Sequence, residues 1–339
     1  MLKWLRSFSM ELTGAALLAA ALYIFLSPQS LDSGSADRAL FNIPSSVLSL
    51  NTIFLSILIE AIPFVLIGVL IAGIIQIFVT EDHIRKWMPK NKFLAVLMSC
   101  VLGALFPACE CGIVPIVRRL IHKGVPLYAG IGFLLTGPII NPIVILSTYM
   151  AFGNDAKMAG WRMLLGFVVA LVIAAIVALV YKGNQMKNEF IPLHTITNQT
   201  QKQPMMKKIQ HTLHHAIDEF FDMGKYLIIG AFLAALVQTY VSSAAILQLG
   251  SSIVTSTLVM MGLAYLLSLC SEADAFIAAS FRNLFAPTAL LGFLVYGPML
   301  DLKNTFMLMA VFKFRFVLVL MGLITMTVFS SVLISQYWF

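Results

Sequence analysis

The chain has 339 residues, of which 60% are hydrophobic and only 11% charged, and its formal net charge is +7. A soluble domain usually carries about 25% charged residues, so this composition excludes an ordinary soluble enzyme or binding module. The positive charge gathers in two short segments, 85–92 and 182–208, which fits the basic cytoplasmic loops of a membrane protein better than a nucleic-acid surface.

The apolar residues arrive in runs of about 20, the length that spans the ~30 Å hydrocarbon core as a helix. Residues 3–6 (KWLR) are basic, and 8–26 form the first apolar run. No tidy cleavage site abuts that run, so it reads as a retained first span rather than a signal peptide. The segment 27–50 carries only Arg38 and is expected outside, with the N-terminus cytoplasmic. A second span covers 51–79. The sequence EDHIRKWMPKNK at 81–92 holds four Lys or Arg residues and should face the cytoplasm.

Residues 93–117 are apolar but broken by Pro107 and Pro115, and Arg118-Arg119 follow. With basic residues at both ends, this stretch is expected to dip in and return as a re-entrant hairpin, which is tolerated only inside protein or along a cavity; a full crossing is the alternative, here and at 253–285. Residues 127–152 form a span interrupted at Gly137-Pro138 and Asn141-Pro142, and 163–181 a clean one. A polar linker at 183–204 precedes an amphipathic segment from Met205, whose apolar positions recur at helical spacing. Further apolar stretches cover 226–240, 253–270, 275–285, 288–300 and 306–333. The expectation is an all-α polytopic membrane protein of 8–10 hydrophobic segments with broken or re-entrant helices. Its divisions are 1–50, a first repeat at 51–181, a linker with amphipathic helix at 182–221, and a second repeat at 222–339.

The repeat is visible in three landmarks. GFLLTGPIIN at 132–141 answers GFLVYGPMLD at 292–301, offset by 160. EAIPFVLIGVLIA from Glu60 answers DMGKYLIIGAFLA from Asp222, offset by 162. Cys109-Glu110-Cys111 answers Cys270-Ser271-Glu272, offset by 161. A hairpin plus three spans per half gives an odd count, so the halves should be inverted. Discontinuous helices at matching positions of two halves point to a binding site between them.

Chemistry concentrates at those positions. Cys109 and Cys111 flank Glu110 where a helix breaks. A carboxylate costs about 3 kcal/mol or more inside a membrane, so it seldom sits there without a role. Paired thiols suit soft partners such as Cu(I), Zn(II) or a trivalent metalloid, although small buried thiols also serve simply as packing. Cys270, Glu272 and Asp274 form the second cluster, a candidate proton or cation relay or the other half of a substrate site. Breaks at Pro107, at Gly137, Pro138 and Pro142, and at Gly297 and Pro298 free backbone carbonyls, which with Asn141 and Asp301 can line a midplane site. Glu60 and Asp222 are read as acids at helix starts, favoured by the dipole alone. His211, His214 and His215 read as a solvated helix face before a zinc site. No GxxxxGK[ST] phosphate loop and no HExxH occur, so neither ATP hydrolysis nor zinc proteolysis is supported.

FPACECGIVPIVRRL at 106–120, GPIINPIVI at 137–145, LCSEADAFIAASF at 269–281 and GFLVYGPMLDLKN at 292–304 together resemble the ArsP-type predicted permeases, over about 51–334. The resemblance implies a bacterial inner-membrane permease, not an enzyme, with no cofactor. Named members export trivalent organoarsenicals. On the matching positions Cys109, Cys111 and Cys270 carry over as candidate ligands, and some relatives work beside a small membrane-associated protein. Two other readings stand beside it: an intramembrane thiol-redox protein, and a membrane subunit or channel of a larger complex.

Overall fold

A chain in lipid must close its own backbone hydrogen bonds. In the computed structural model every regular element among the described residues is accordingly an α-helix, apart from one antiparallel bridge between Met186 and Phe312. The structure describes residues 19, 45–78, 84, 88–89, 91–106, 109–181, 183, 185–187, 205–240 and 252–338. The expected first span at 8–26 apart from residue 19, Arg38, Pro107 and most of the 183–204 linker lie outside these residues, as do the side chains of His211, His214 and His215.

The first half comprises α1 (Ser45–Phe78), α2 (Lys92–Ala104), α3 (Glu110–His122), α4 (Leu127–Thr136), α5 (Pro142–Ala151) and α6 (Ala156–Val180). The second comprises α7 (Met205–Tyr240), α8 (Ile253–Leu267), α9 (Ser271–Ser280), α10 (Pro287–Met299), α11 (Leu302–Val311) and α12 (Phe314–Ser335). Each helix of the second half follows its counterpart in the first in the same order. Among the described residues, four helices are long and apolar enough to cross a membrane: Ser45–Ile75, Ala156–Val180, Ala216–Tyr240 and Phe314–Ser335. Large apolar side chains such as Leu105, Leu179 and Met326 stand exposed on the outer surface, as expected where lipid replaces water.

Several expectations shift. Pro115 lies inside α3, so the break in this stretch is confined to the residues between Ala104 and Glu110. The run at 163–181 begins earlier, as α6, and so takes in Arg162. The amphipathic segment and the span at 226–240 are one 36-residue helix, α7, which runs across the boundary expected at 221. Glu60 and Asp222 consequently sit within helices rather than at their starts; the acids in first turns are Glu110, Glu272 and Asp274. The run at 306–333 is two helices. Its break at Phe312–Lys313 is held by Lys187 N donating to Val311 O and Lys313 N donating to Gln185 O, so the start of the linker is pinned there.

Packing relies on small residues, because lipid offers no hydrophobic drive between helices. A Cβ at Gly68 would lie 2.2 Å from the carbonyl oxygen of Gly112, so α1 and α3 touch backbone to backbone. At Gly132 a Cβ would meet Cys100 Sγ and Ser99 Oγ, both at 2.9 Å, and at the matching Gly292 it would meet Thr257 and Met261. The α2–α4 and α8–α10 crossings are thus built alike. Contacts between halves are also reciprocal: α3 packs on α11, and α9 packs on α5.

Candidate functional site

A cysteine stands at each of two tips, the N-termini of α3 and α9. Cys109 is the N-cap of α3 and Cys270 the N-cap of α9. The extended backbone at Cys109 lets its carbonyl accept from Gly112 N and Ile113 N. At Cys270 the sulfur also accepts from Ala273 N, at 3.4 Å. Both tips therefore present helix N-termini to the interior, where the dipole favours anions.

The first tip carries Glu110, which is 2% exposed, between the buried Cys109 and Cys111. The two thiols lie two residues apart at the start of α3, both buried. Lys303 Nζ donates to Glu110 Oε1 at 3.1 Å and stands 3.6 Å from Asp301 Oδ2. Lys303 comes from α11, so a base of the second half holds the N-terminus of α3 in the first.

The second tip is held the opposite way. Arg162, on α6, is 1% exposed. Its Nη2 donates to the carbonyl oxygen of Ser271 at 2.9 Å and its Nη1 to Thr148 Oγ1 at 2.6 Å. Ser271 matches Glu110 at an offset of 161. Asp274 and Glu272 lie within electrostatic reach of Arg162. Cys270 has Glu60 and Glu272 as neighbours.

The broken helices complete the centre. Asn141 caps α5 by accepting from Ile143 N, and Asp301 caps α11 by accepting from Asn304 N. Gly137 and Pro138 fall in the first break, and Pro142 opens α5. Helix α10 instead continues through Gly297 and Pro298, so the second break falls at Leu300–Asp301. Ser268 Oγ accepts from the backbone N–H groups of Leu302 and Lys303, docking the loop before the second tip onto that break.

Sequence reasoning put Cys109, Glu110 and Cys111 together, and the structure keeps them in one cluster with Asp301. Asp274 shares the electrostatics of Glu110, Asp301, Lys303 and Arg162. Two bases escaped it. Arg162 stands seven residues into α6, yet in the sequence it directly precedes the apolar run and looks like a flanking charge. Lys303 follows Asp301 by two residues; its signal was a base beside a helix break in an apolar stretch. Among the described residues no group of three or more His, Cys, Asp and Glu side chains is placed to hold a metal ion. Near the basic end of α3, Arg118 and Arg119 pair with Asp222 and Glu219 of α7 at 3.2 and 3.0 Å.

The chain matches the family model ArsP_1, described as predicted permease, over residues 46–337. The UPF0718 protein YcgR of Bacillus subtilis (strain 168) is 54% identical over 292 residues, covering 86% of this chain and 98% of that protein. A Streptococcus mutans protein named "Putative two-component membrane permease complex subunit" is 44% identical over 285 residues, 84% of this chain and 94% of its own length. UPF0718 protein MJ0584 of Methanocaldococcus jannaschii is 25% identical over 140 residues, 41% of this chain and 38% of its own. No solved structure matches.

Proposed function

The chain belongs to the ArsP_1 family of predicted permeases, and from that premise we propose that it is a bacterial inner-membrane permease exporting a soft, thiol-binding substrate, a trivalent organoarsenical or a metal ion. The observation that carries the substrate class is the buried Cys109–Cys111 pair beside the Glu110–Lys303 bridge. Soft sulfur selects soft centres, and the carboxylate and ammonium compensate charge as cargo binds. Cys270 supplies a matching thiol in the second half. Asn141 and Asp301 line the path at the helix breaks, and Glu272 and Asp274 serve charge balance or proton coupling.

Transport is alternating access by two inverted repeats rocking against each other, with the N-terminus cytoplasmic. Support for the inversion comes from neighbours at the two ends of α6. At its C-terminal end, Ala178 O accepts from Lys92 Nζ of α2, and just beyond, residues 185–187 pair with the α11–α12 junction. At its N-terminal end, Gly153 lies near Arg282, which follows α9. The α5–α6 and α11–α12 junctions match in the sequence, yet they neighbour opposite ends of one spanning helix.

A second reading rests on the name of the Streptococcus mutans relative: this chain is one subunit of a two-component permease and needs a partner for flux.

Everted membrane vesicles separate the readings. Wild type and Cys109→Ser/Cys111→Ser would be compared for uptake of trivalent methylarsenite, Zn(II) and Cu(I). Proton-gradient-dependent accumulation of one of these, lost in the double variant, is the expected result. No flux of any by wild type overturns the soft-substrate reading for this chain acting alone and directs the search to a partner protein.

A further inference from the structure

Three buried carboxylates, Glu110, Asp274 and Asp301, and the half-buried Glu272 stand against two buried bases, Arg162 and Lys303. Carboxylates outnumber bases, and hydrogen bonding shows which buried one is left without a partner. Glu110 is held by Lys303. Asp301 spends one oxygen on capping Asn304 and has Lys303 beside the other. Asp274 is 1% exposed, and neither of its carboxylate oxygens makes a hydrogen bond.

Its surroundings are nearly bare. A Cβ at Gly297 would lie 2.7 Å from Asp274 Oδ2, so only glycine lets α9 bring this carboxylate against α10. The helices that pack on α9 include α5 and α10, and these bring no charged side chain; their titratable groups are Tyr149 and Tyr296. The charged groups acting on Asp274 are Arg162 from α6, Glu110 from α3, and Asp301 and Lys303 at the start of α11, with Glu272 on its own helix. In the first half the matching contact is apolar: a Cβ at Gly137 would lie 2.3 Å from Ile113 Cδ1. The two halves thus repeat the helix crossing but place a carboxylate in only one of them.

We propose that Asp274 is the single binding site for the coupling proton of this permease, an assignment that rests on the transport reading above. A hard metal cation is held by several oxygen ligands, whereas this carboxylate has no polar partner on either oxygen; a proton satisfies it with one bond. A proton from the aqueous phase joins one Asp274 oxygen, and the carboxylate becomes a neutral acid that no longer needs a partner for its charge. On the other side of the cycle the same O–H bond breaks and the proton leaves to water. The neutral acid no longer attracts Arg162, the base that holds the second tip through Ser271. Proton binding therefore acts on the base that holds the second tip.

The test is pH-difference infrared spectroscopy of the full-length protein in lipid, without any substrate. Wild type should show the carbonyl stretch of a buried protonated carboxyl that appears as pH falls. The band should be lost in Asp274→Asn, shifted in Asp274→Glu, and insensitive to sodium at fixed pH. A band that persists in Asp274→Asn, or stays unmoved in Asp274→Glu, overturns the assignment. Suppression by sodium overturns it in favour of a metal-cation site. Should Asp274→Asn fail to fold, the shift in Asp274→Glu decides. Because no cargo is present, this result stands apart from the vesicle experiment: absent flux defeats the substrate reading alone, and an absent band defeats the proton site alone.

Discussion

Lys303 Nζ of the second half donates to Glu110 Oε1 of the first at 3.1 Å, and both side chains are almost wholly buried. Breaking a buried pair by removing one partner costs about 3–5 kcal/mol, because the other charge is left uncompensated, whereas replacing both by neutral groups can be nearly neutral. Lys303→Met and Glu110→Gln should each lower the thermal stability of the detergent-purified protein, and the double variant should recover most of the loss. Thermal unfolding of the three proteins measures this. Equal stability of all three would mean that the bridge does not hold the halves together.

Arg162 mirrors Lys303 but works through a fork. Its two terminal nitrogens reach Ser271 O and Thr148 Oγ1, a geometry that an ammonium cannot copy. Arg162→Lys should therefore fail to rescue transport lost in Arg162→Gln, although it keeps the charge. Each variant should lose about tenfold or more in initial rate, on the scale of the 1.5–3 kcal/mol of a hydrogen bond to a charged group. Full activity in Arg162→Lys would reduce the role of Arg162 to charge alone.

The sequence made the helical class and the order of the halves legible, because apolar run length and repeated motifs are local properties. It also marked Cys109, Glu110, Cys111 and Asp301, since polar residues at helix breaks stand out against an apolar background. It did not mark the two bases. Lys303 meets Glu110 across 193 residues and Arg162 meets Ser271 across 109, and no local pattern encodes pairings over such separations. Glu60 and Asp222 read as helix starts because the repeated motifs begin with them, yet α1 and α7 run through both.

The α1–α3 crossing depends on Gly68 and Gly112. A methyl at Gly68 would sit 2.2 Å from Gly112 O, and one at Gly112 would sit 2.8 Å from Phe64 O. Both neighbours are backbone and cannot swing aside. Gly68→Ala and Gly112→Ala should each cost about 1–3 kcal/mol by overpacking and spread the protein into several species on size-exclusion chromatography. Gly262→Ala and Gly322→Ala, where a Cβ meets nothing within 4 Å, should run as wild type. Tolerance at Gly68 and Gly112 would contradict this packing.

The proposed inversion of the halves has a direct consequence for His122 and Arg282. Both are exposed, and they occupy matching places, at the C-terminal end of α3 and just after α9. The native thiols Cys100, Cys109 and Cys111 are buried and Cys270 is partly so, and replacing all four by Ser removes their background. On that background, Arg282→Cys should react with a membrane-impermeant maleimide added to intact cells. His122→Cys should react only in everted vesicles, because the basic residues Arg118, Arg119 and Lys123 around it favour the cytoplasmic face. Parallel repeats would put both positions on one side, and labelling of both from the same face would exclude the inverted arrangement on which the rocking mechanism depends.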